Sequence, residues 1–312
     1  MPSPFVVVGE SLVDIVVPSG GGERHDAVGG SCLNVAVGLA RLEVPTTLVT
    51  RLGEDRYGDL VLAHLRDSDV TLAEGSVVPG GATSTATAHL DTSHAATYDF
   101  EIVWDLPPQR LPEDVAGIHV GSLGTTVQPG KDAVVDLVRQ ATEEQVFVSF
   151  DPNIRPFFLE EAEAAWRDVV EIAAGSCLVK LSDEDLRLLR PGDSEEDVCR
   201  GLLAGGRTEL VVLTRGAHGA RAFTEGATLD VKAPPTQVVD TVGAGDSFMA
   251  AMLAMLFEWG VVADGEGALA ALDDARVELL VRGAATAAAV TCSRRGANPP
   301  TLRELPPTWP AG

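Results

Sequence analysis

Short apolar runs separated by longer stretches of helical periodicity confine this chain to a narrow set of architectures. Phe5-Val-Val-Val-Gly, Val146-Phe-Val-Ser-Phe, Cys177-Leu-Val-Lys-Leu and Leu210-Val-Val-Leu-Thr read as buried strands. Residues 34–42, 132–142, 160–174 and 194–203 read as helices between them. Strands that are apolar on both faces and alternate with helices predict an α/β fold. Its sheet is expected to be mainly parallel and covered by helices on both sides. Ligands of such sheets bind beyond the carboxyl ends of the strands, so chemistry is expected just after each apolar run. Residues 10–28 and 82–104 break the alternation. The first reads as a strand and a Gly-rich loop. The second alternates Thr85, Thr87, His89 and then Tyr98, Phe100, Ile102 and Trp104, the period of a half-exposed sheet. These two segments are expected to form a flap beside the main sheet, the alternative for 82–104 being an ordinary edge hairpin. No Ser/Gly/Pro linker, low-complexity block or internal repeat divides residues 1–312, which predicts a single domain.

Composition narrows the function. With 45% apolar and 22% charged residues the chain can bury a large core. The longest apolar stretch, Phe248 to Phe257, is too short to span a bilayer, which takes about 20 residues. Met1-Pro-Ser-Pro leads straight into the first strand without a basic segment or cleavage site, so no signal peptide is expected. Cys32, Cys177, Cys199 and Cys292 form no CxxC pair and read as reduced thiols of a cytoplasmic protein. A net charge of −23 opposes nucleic-acid binding and favours solubility. Lys131, Lys180 and Lys232 are the only lysines, which draws attention to any that lies near a motif.

No GxGxxG follows a strand, and the only Gly-Lys, Gly130-Lys131, lacks the Ser/Thr of a P-loop. A dinucleotide dehydrogenase and a P-loop enzyme therefore both lose ground. The strongest local feature is Asp240-Thr-Val-Gly-Ala-Gly-Asp246, which runs directly into an apolar helix. Glycines at 243 and 245 let backbone amides crowd together at a helix N-terminus, an anion site suited to phosphoryl oxygens. Asp246 places a carboxylate beside that site. Two roles fit it: a helix N-cap, or a base that orients an attacking hydroxyl and takes its proton late. A second cluster, Gly29-Gly-Ser-Cys-Leu-Asn34, again sets two glycines before a helix, with an Asn amide facing the gap.

Together these motifs resemble the ribokinase-like sugar kinases, the phosphofructokinase B family. Gly29-Gly30, Asn34, Ala36, Gly38 and Leu39-Ala40, continuing through Thr50-Arg-Leu-Gly53, Asp55 and Gly58, match the first family motif. The run Asp240 to Asp246 matches the second. Asp151-Pro-Asn-Ile-Arg155, Lys180-Leu-Ser-Asp-Glu-Asp185 and Thr214-Arg-Gly216 with Gly219 fall between them in family order. The tail Cys292-Ser-Arg-Arg-Gly-Ala-Asn-Pro-Pro is similar to the fructokinase branch.

The resemblance implies a Rossmann-like sheet with a small β lid, and ATP- and Mg²⁺-dependent phosphorylation of a sugar or nucleoside hydroxyl. Residues 10–28 and 82–104 become the lid. Asp246 becomes the catalytic base, with Gly243, Ala244 and Gly245 as the anion hole. Asp14, Gly30 and Asn34 match positions that hold sugar hydroxyls, and Asn153 and Arg155 would face substrate or the transferring phosphate. Thr214, Gly216 and Gly219 match the nucleotide turn, and the Lys180 ammonium is expected at a phosphate. The family often has Asn-x-x-Glu where this chain has Ser182 and Asp185, so Asp185 is expected to reach a metal only through water. Many relatives bind K⁺ through backbone near Asp240 and Val242 and the loop around 291–297. His89 and His94 lie in the lid segment and are expected on its surface or in its packing, metal ligation being the alternative. Tyr98, Phe100 and Trp104 are expected in the lid core or on a homodimer face, with sugar stacking as a third role.

Residues 1–23 and 79–109 hold no Lys or Arg, which disfavours a phosphosugar acceptor. A neutral sugar, fructose first, is expected, with ribose, 2-keto-3-deoxygluconate and nucleosides as alternatives. The other classes left open are a non-catalytic sugar-binding relative and another doubly wound enzyme.

Overall fold

The computed structural model describes residues 3–19, 23–91 and 96–309. The four apolar runs are strands β1 (Phe5–Val8), β11 (Phe147–Asp151), β12 (Leu178–Ser182) and β13 (Leu210–Thr214). The second and third lie one residue later than the sequence places them, which makes Asp151 and Ser182 the last residues of their strands. With β4 (Thr46–Val49), β6 (Thr71–Leu72), β10 (Gly117–Gly121), β14 (Ala220–Phe223) and β15 (Thr228–Val231) they build one sheet. Its order is β15-β14-β13-β12-β11-β10-β1-β4-β6. It is parallel from β13 to β6 and closes with antiparallel β14 and β15 at one edge.

Alternation along β1 divides the core in two. Phe5 and Val7 face a layer formed by helices α1 (Ser31–Arg41), α7 (Ala244–Glu258) and α9 (Asp274–Cys292). Val6 and Val8 face the opposite layer of α3 (Gly130–Glu143), α4 (Ala162–Ala174) and α6 (Glu195–Leu203). Burial on both sides explains why these strands read as unbroken apolar runs. Helix α7 is buried continuously from Asp246 to Leu256 and packs against α1 and α9. A helix apolar all round is stable only when every side is covered. α5 (Asp183–Leu189) and α8 (Val261–Asp264) complete the larger body.

The two segments that break the alternation form a separate sheet. β2 (Leu12–Val17), β3 (His25–Gly29), β8 (Ser84–Leu90) and β9 (Ala96–Glu101) pair in the order β3-β2-β8-β9. Residues 82–104 are thus part of a four-stranded sheet and not an isolated hairpin. Both segments overrun it. Glu10 is buried in the body, and Trp104, 3% exposed, belongs to the core beneath α3, where its indole donates to the Gly124 carbonyl. Tyr98 is exposed and stacks on Phe100. Phe100 in turn meets Phe157 and Phe158 of the body at centroid distances of 4.4 and 5.3 Å. His89 ion-pairs with Asp99 across β8 and β9, and His94 lies outside the described residues.

All four cysteines are free thiols, three of them buried. Among the described residues no helix is long and apolar enough to cross a membrane.

A two-stranded pair, β5 (Leu52–Gly53) with β7 (Val77–Val78), joins the two sheets beside α2 (Arg56–Asp67). Asp55 ties this junction together. One carboxylate oxygen caps α2 by accepting from the Tyr57 and Gly58 amides and also takes the Thr83 hydroxyl, while the other accepts the Thr83 amide. These bonds outweigh partial burial and hold its carboxyl below the ordinary value. Replacing Asp55 by Ala should cost about 2 kcal/mol, through the lost cap and the loosened lead-in to β8. Urea denaturation measures this, and a loss below half that size would mean the cap contributes little.

Candidate active site

Two helix N-termini converge above the carboxyl edge of the main sheet, each preceded by a glycine that no other residue could replace without strain. Gly30, before α1, has φ +113°, and a Cβ there would lie 2.6 Å from the Glu10 carbonyl oxygen. Gly243, before α7, has φ +74°, and a Cβ would lie 2.6 Å from that of Ala297. The start of α1 is anchored by the buried Glu10 carboxylate, which accepts from the Ser31 amide at 2.9 Å and the Gly124 amide at 3.1 Å. Burial raises the Glu10 carboxyl above its ordinary value, while these amides and the charge of Arg155 oppose the rise.

Asp246 joins the two helices. It is the third residue of α7 and makes no N-cap bond, which removes the capping role left open by the sequence. Its carboxylate, 4% exposed, accepts from the Ser31 hydroxyl at 2.7 Å and from the Asn34 side-chain amide at 2.8 Å. Asn153 donates to the Ser31 hydroxyl at 2.8 Å and reaches the same Asp246 oxygen at 3.4 Å. The result is a chain of donors from Asn153 through Ser31 to Asp246. Asn153 takes φ +37°, a left-handed conformation that Asn tolerates better than most residues. Its loop is held by Asp185, which accepts from the Ile154 amide at 2.7 Å.

The structure therefore brings Asn34, Asn153, Asp246, Gly30 and the 243–245 turn together as expected. Asp14 projects from β2 beside them. A Cβ on Gly29 would lie 2.5 Å from a carboxylate oxygen of Asp14, so Gly29 makes the room this side chain occupies. Asp14 is open to solvent, yet the surrounding protein raises its carboxyl, against the charge of Arg155. Arg155 itself is exposed.

The nucleotide half is more mixed. Thr214 ends β13 opposite Ser182 in the strand register. Gly216 is exposed, with φ +51° and open space around it. Gly219 is buried instead. A Cβ there would lie 2.0 Å from the Val231 carbonyl oxygen, so this glycine serves the close approach of β15.

One expectation is corrected. The Lys180 side chain, 4% exposed, does not open onto the cleft but pairs with Asp151 at 2.8 Å inside the protein. Burial works against its charge, but Asp151, then Asp185 and Asp246, outweigh it and leave the ammonium above its ordinary value. Burial pushes Asp151 up to about 6, with Lys180 pulling it back. Asp185 is equally committed. It forms a capping box with Ser182, accepting the Ser182 amide and hydroxyl, and its other oxygen holds Ile154. That carboxylate shapes the Asn153 loop and does not stand ready as a direct metal ligand. Among the described residues no three His, Cys, Asp or Glu side chains gather as a metal site.

Asp240 clasps two loops, accepting from the Val242 amide and from the Gly296 amide. The Val239 and Asp240 amides donate in turn to the Cys292 carbonyl. Both carboxylate oxygens are thus taken by backbone amides. Glu10, Ser31 and Asp151 were not singled out by sequence reasoning. Ser31 carried a signal, since it lies between the two glycines and Asn34 of a motif.

A profile of the pfkB family carbohydrate kinases matches residues 5–304. A fructokinase of Rhizobium leguminosarum bv. trifolii is 33% identical over 261 residues, covering 80% of this chain and 78% of that one. The crystal structure of a Xylella fastidiosa fructokinase with bound ATP superposes with a TM-score of 0.82 at 25% identity, over 95% of this chain and 94% of that one. A double mutant of the Vibrio cholerae O395 fructokinase, with fructose, ADP and a potassium ion bound, gives 0.78 at 26% identity over the same shares. The glycine-flanked helix starts, the buried carboxylate between them and this match along almost the entire sequence make the chain a member of the pfkB family of carbohydrate kinases.

Proposed function

We propose that this kinase transfers the γ-phosphoryl group of ATP to a hydroxyl of fructose. The observation that carries this reading is the Asp246 carboxylate, bonded to Ser31 and Asn34 and lying immediately after the 243–245 glycine turn at the start of α7. One oxygen accepts from Ser31 and, more distantly, from Asn153, while the other accepts from Asn34 and keeps a further lone pair for a substrate hydroxyl. Asp14, Asn34 and the bare Gly30 backbone surround that hydroxyl with groups that hold a neutral polyol. The small sheet then serves as the lid. Arg155 acts electrostatically on both Asp14 and Glu10, so this exposed cation is already faced by two carboxylates. That charge balance favours a neutral sugar over a phosphosugar.

In the reaction the sugar oxygen attacks the γ-phosphorus in line, and the bond from that phosphorus to the β,γ-bridging oxygen breaks. Its electron pair leaves with ADP. Asp246 orients the hydroxyl and takes its proton late, while the amides of Gly243, Ala244 and Gly245 receive the charge on the equatorial oxygens. Thr214 and Gly216 line the nucleotide side. Mg²⁺ would neutralise the triphosphate while held mainly by phosphate and water. A potassium ion at the Asp240 clasp would steady the turn that carries the amides. The relatives named above support this reading through the fructose, ATP, ADP and potassium ion bound to them.

The direct test is ADP release from ATP and Mg²⁺ with fructose, ribose, 2-keto-3-deoxygluconate, adenosine or fructose-6-phosphate, with and without K⁺. Turnover on fructose well above the others is expected, and a clear preference for another acceptor would overturn the substrate assignment. Asp246→Asn should lower kcat by about 10²–10⁴-fold with ATP affinity little changed. A variant retaining half the activity would remove Asp246 as the base. Gly29→Ala, which crowds Asp14, should raise the sugar KM by about tenfold and leave the ATP KM unchanged. An unaltered sugar KM would take Asp14 out of the sugar site.

A further inference from the structure

The sheet face beneath α7 is apolar at Phe147, Leu178 and Val212, yet a polar track crosses it. His119 and Ser149, register partners on β10 and β11, bond at 3.0 Å, and Asp151 and Lys180 follow on β11 and β12. Burial and the charge of Lys180 hold His119 at about 3, so it stays neutral. Lys180 and Asp151, 2.8 Å apart, are together almost fully buried. A buried pair of this kind gains little stability over apolar residues of similar volume. The Asp151 Oδ1 atom has no hydrogen-bond partner among the described residues, so the carboxylate is not there to complete a polar network. What the pair does accomplish is to hold an ammonium directly behind the glycine turn. A Cβ on Gly245 would lie 3.6 Å from the Lys180 Nζ atom.

We propose that Lys180, fixed by Asp151, is a positioning residue whose buried positive charge supports the Gly243–Gly245 anion hole from behind. Resting on the kinase reading above, this assigns Lys180 a role without contact with ATP. Asp246 and the transferring phosphoryl group bring negative charge to the first turn of α7, and the ammonium behind Gly245 balances it. Asp185, Asp151 and Asp246 are the acidic groups acting on Lys180, which leaves that one cation facing three carboxylates before any phosphate arrives. Asp151 keeps the flexible lysine stem from turning elsewhere. Fixed charges of this kind act without reorganisation at the moment of transfer.

The competing role is purely structural, a staple between β11 and β12, and paired substitutions separate the two. Lys180→Met alone leaves a buried unpaired carboxylate and should lower Tm. The double variant Lys180→Met with Asp151→Asn removes both charges and should regain a Tm within about 3 °C of wild type. If the charge serves the anion hole, kcat of the double variant stays down by about 100-fold with both KM values within a few-fold. Lys180→Arg, which keeps the charge, should retain most of the activity. A double variant that recovers kcat together with Tm would overturn the proposal, as would Lys180→Arg falling as far as Lys180→Met. Turnover by wild type in the same assay tests the kinase reading, and the ratio of variant to wild type tests this one.

Discussion

The carboxylate of Asp246 is the joint on which the site depends. A charged group buried to this degree is tolerated only if its oxygens are satisfied, and the partners come from a helix more than two hundred residues away in the chain. Meeting that requirement sets the angle between α1 and α7, because Ser31 and Asn34 must both reach a residue in the first turn of the other helix. It also fixes Asn153, whose amide completes the chain through the Ser31 hydroxyl. Packing alone would allow the two helices to slide. The polar joint permits one register.

Around this joint the protein concentrates buried charge. Glu10, Asp151, Lys180, Asp185 and Asp246 are all buried near the carboxyl edge of the sheet, where helix N-termini and one ammonium offset them. Three of these carboxylates organise backbone or a cation. Glu10 anchors the start of α1, Asp185 shapes the Asn153 loop, and Asp151 holds Lys180. The aspartate at 185, a departure from the longer acid expected there, is short enough to close a capping box with Ser182 while still reaching Ile154.

The architecture was legible because its strands are buried on both faces and its glycines lie where helices begin. Asp240 to Asp246 marked a glycine turn at a helix start from residue types alone. What the sequence hid depended on register and side-chain direction. Lys180 looked like a strand-end cation free to meet phosphate, but its strand runs one residue further than the apolar pattern indicated, and Asp151 stands beside it on the neighbouring strand. Trp104 continued the alternation of the small sheet by period yet turns into the body, because the chain leaves β9 before reaching it. Gly219 read as a nucleotide glycine, whereas the crowding that requires it comes from β15. Ser31 stood inside a recognised motif unnoticed, since a hydroxyl at a helix start is commonly explained by capping.

Helix α7 is apolar on every side and enclosed by α1, α9 and the sheet. Such a rod has no free face along which to rotate and no solvent layer on which to glide. The amides at its tip are therefore a stationary anvil. Whatever movement accompanies substrate capture must belong to the small sheet, joined to the body through Asp55 and through the rings of Phe100, Phe157 and Phe158. In the proposed reaction the acceptor would be carried to a phosphate station that stays still, so the accuracy of transfer would be set on one side only.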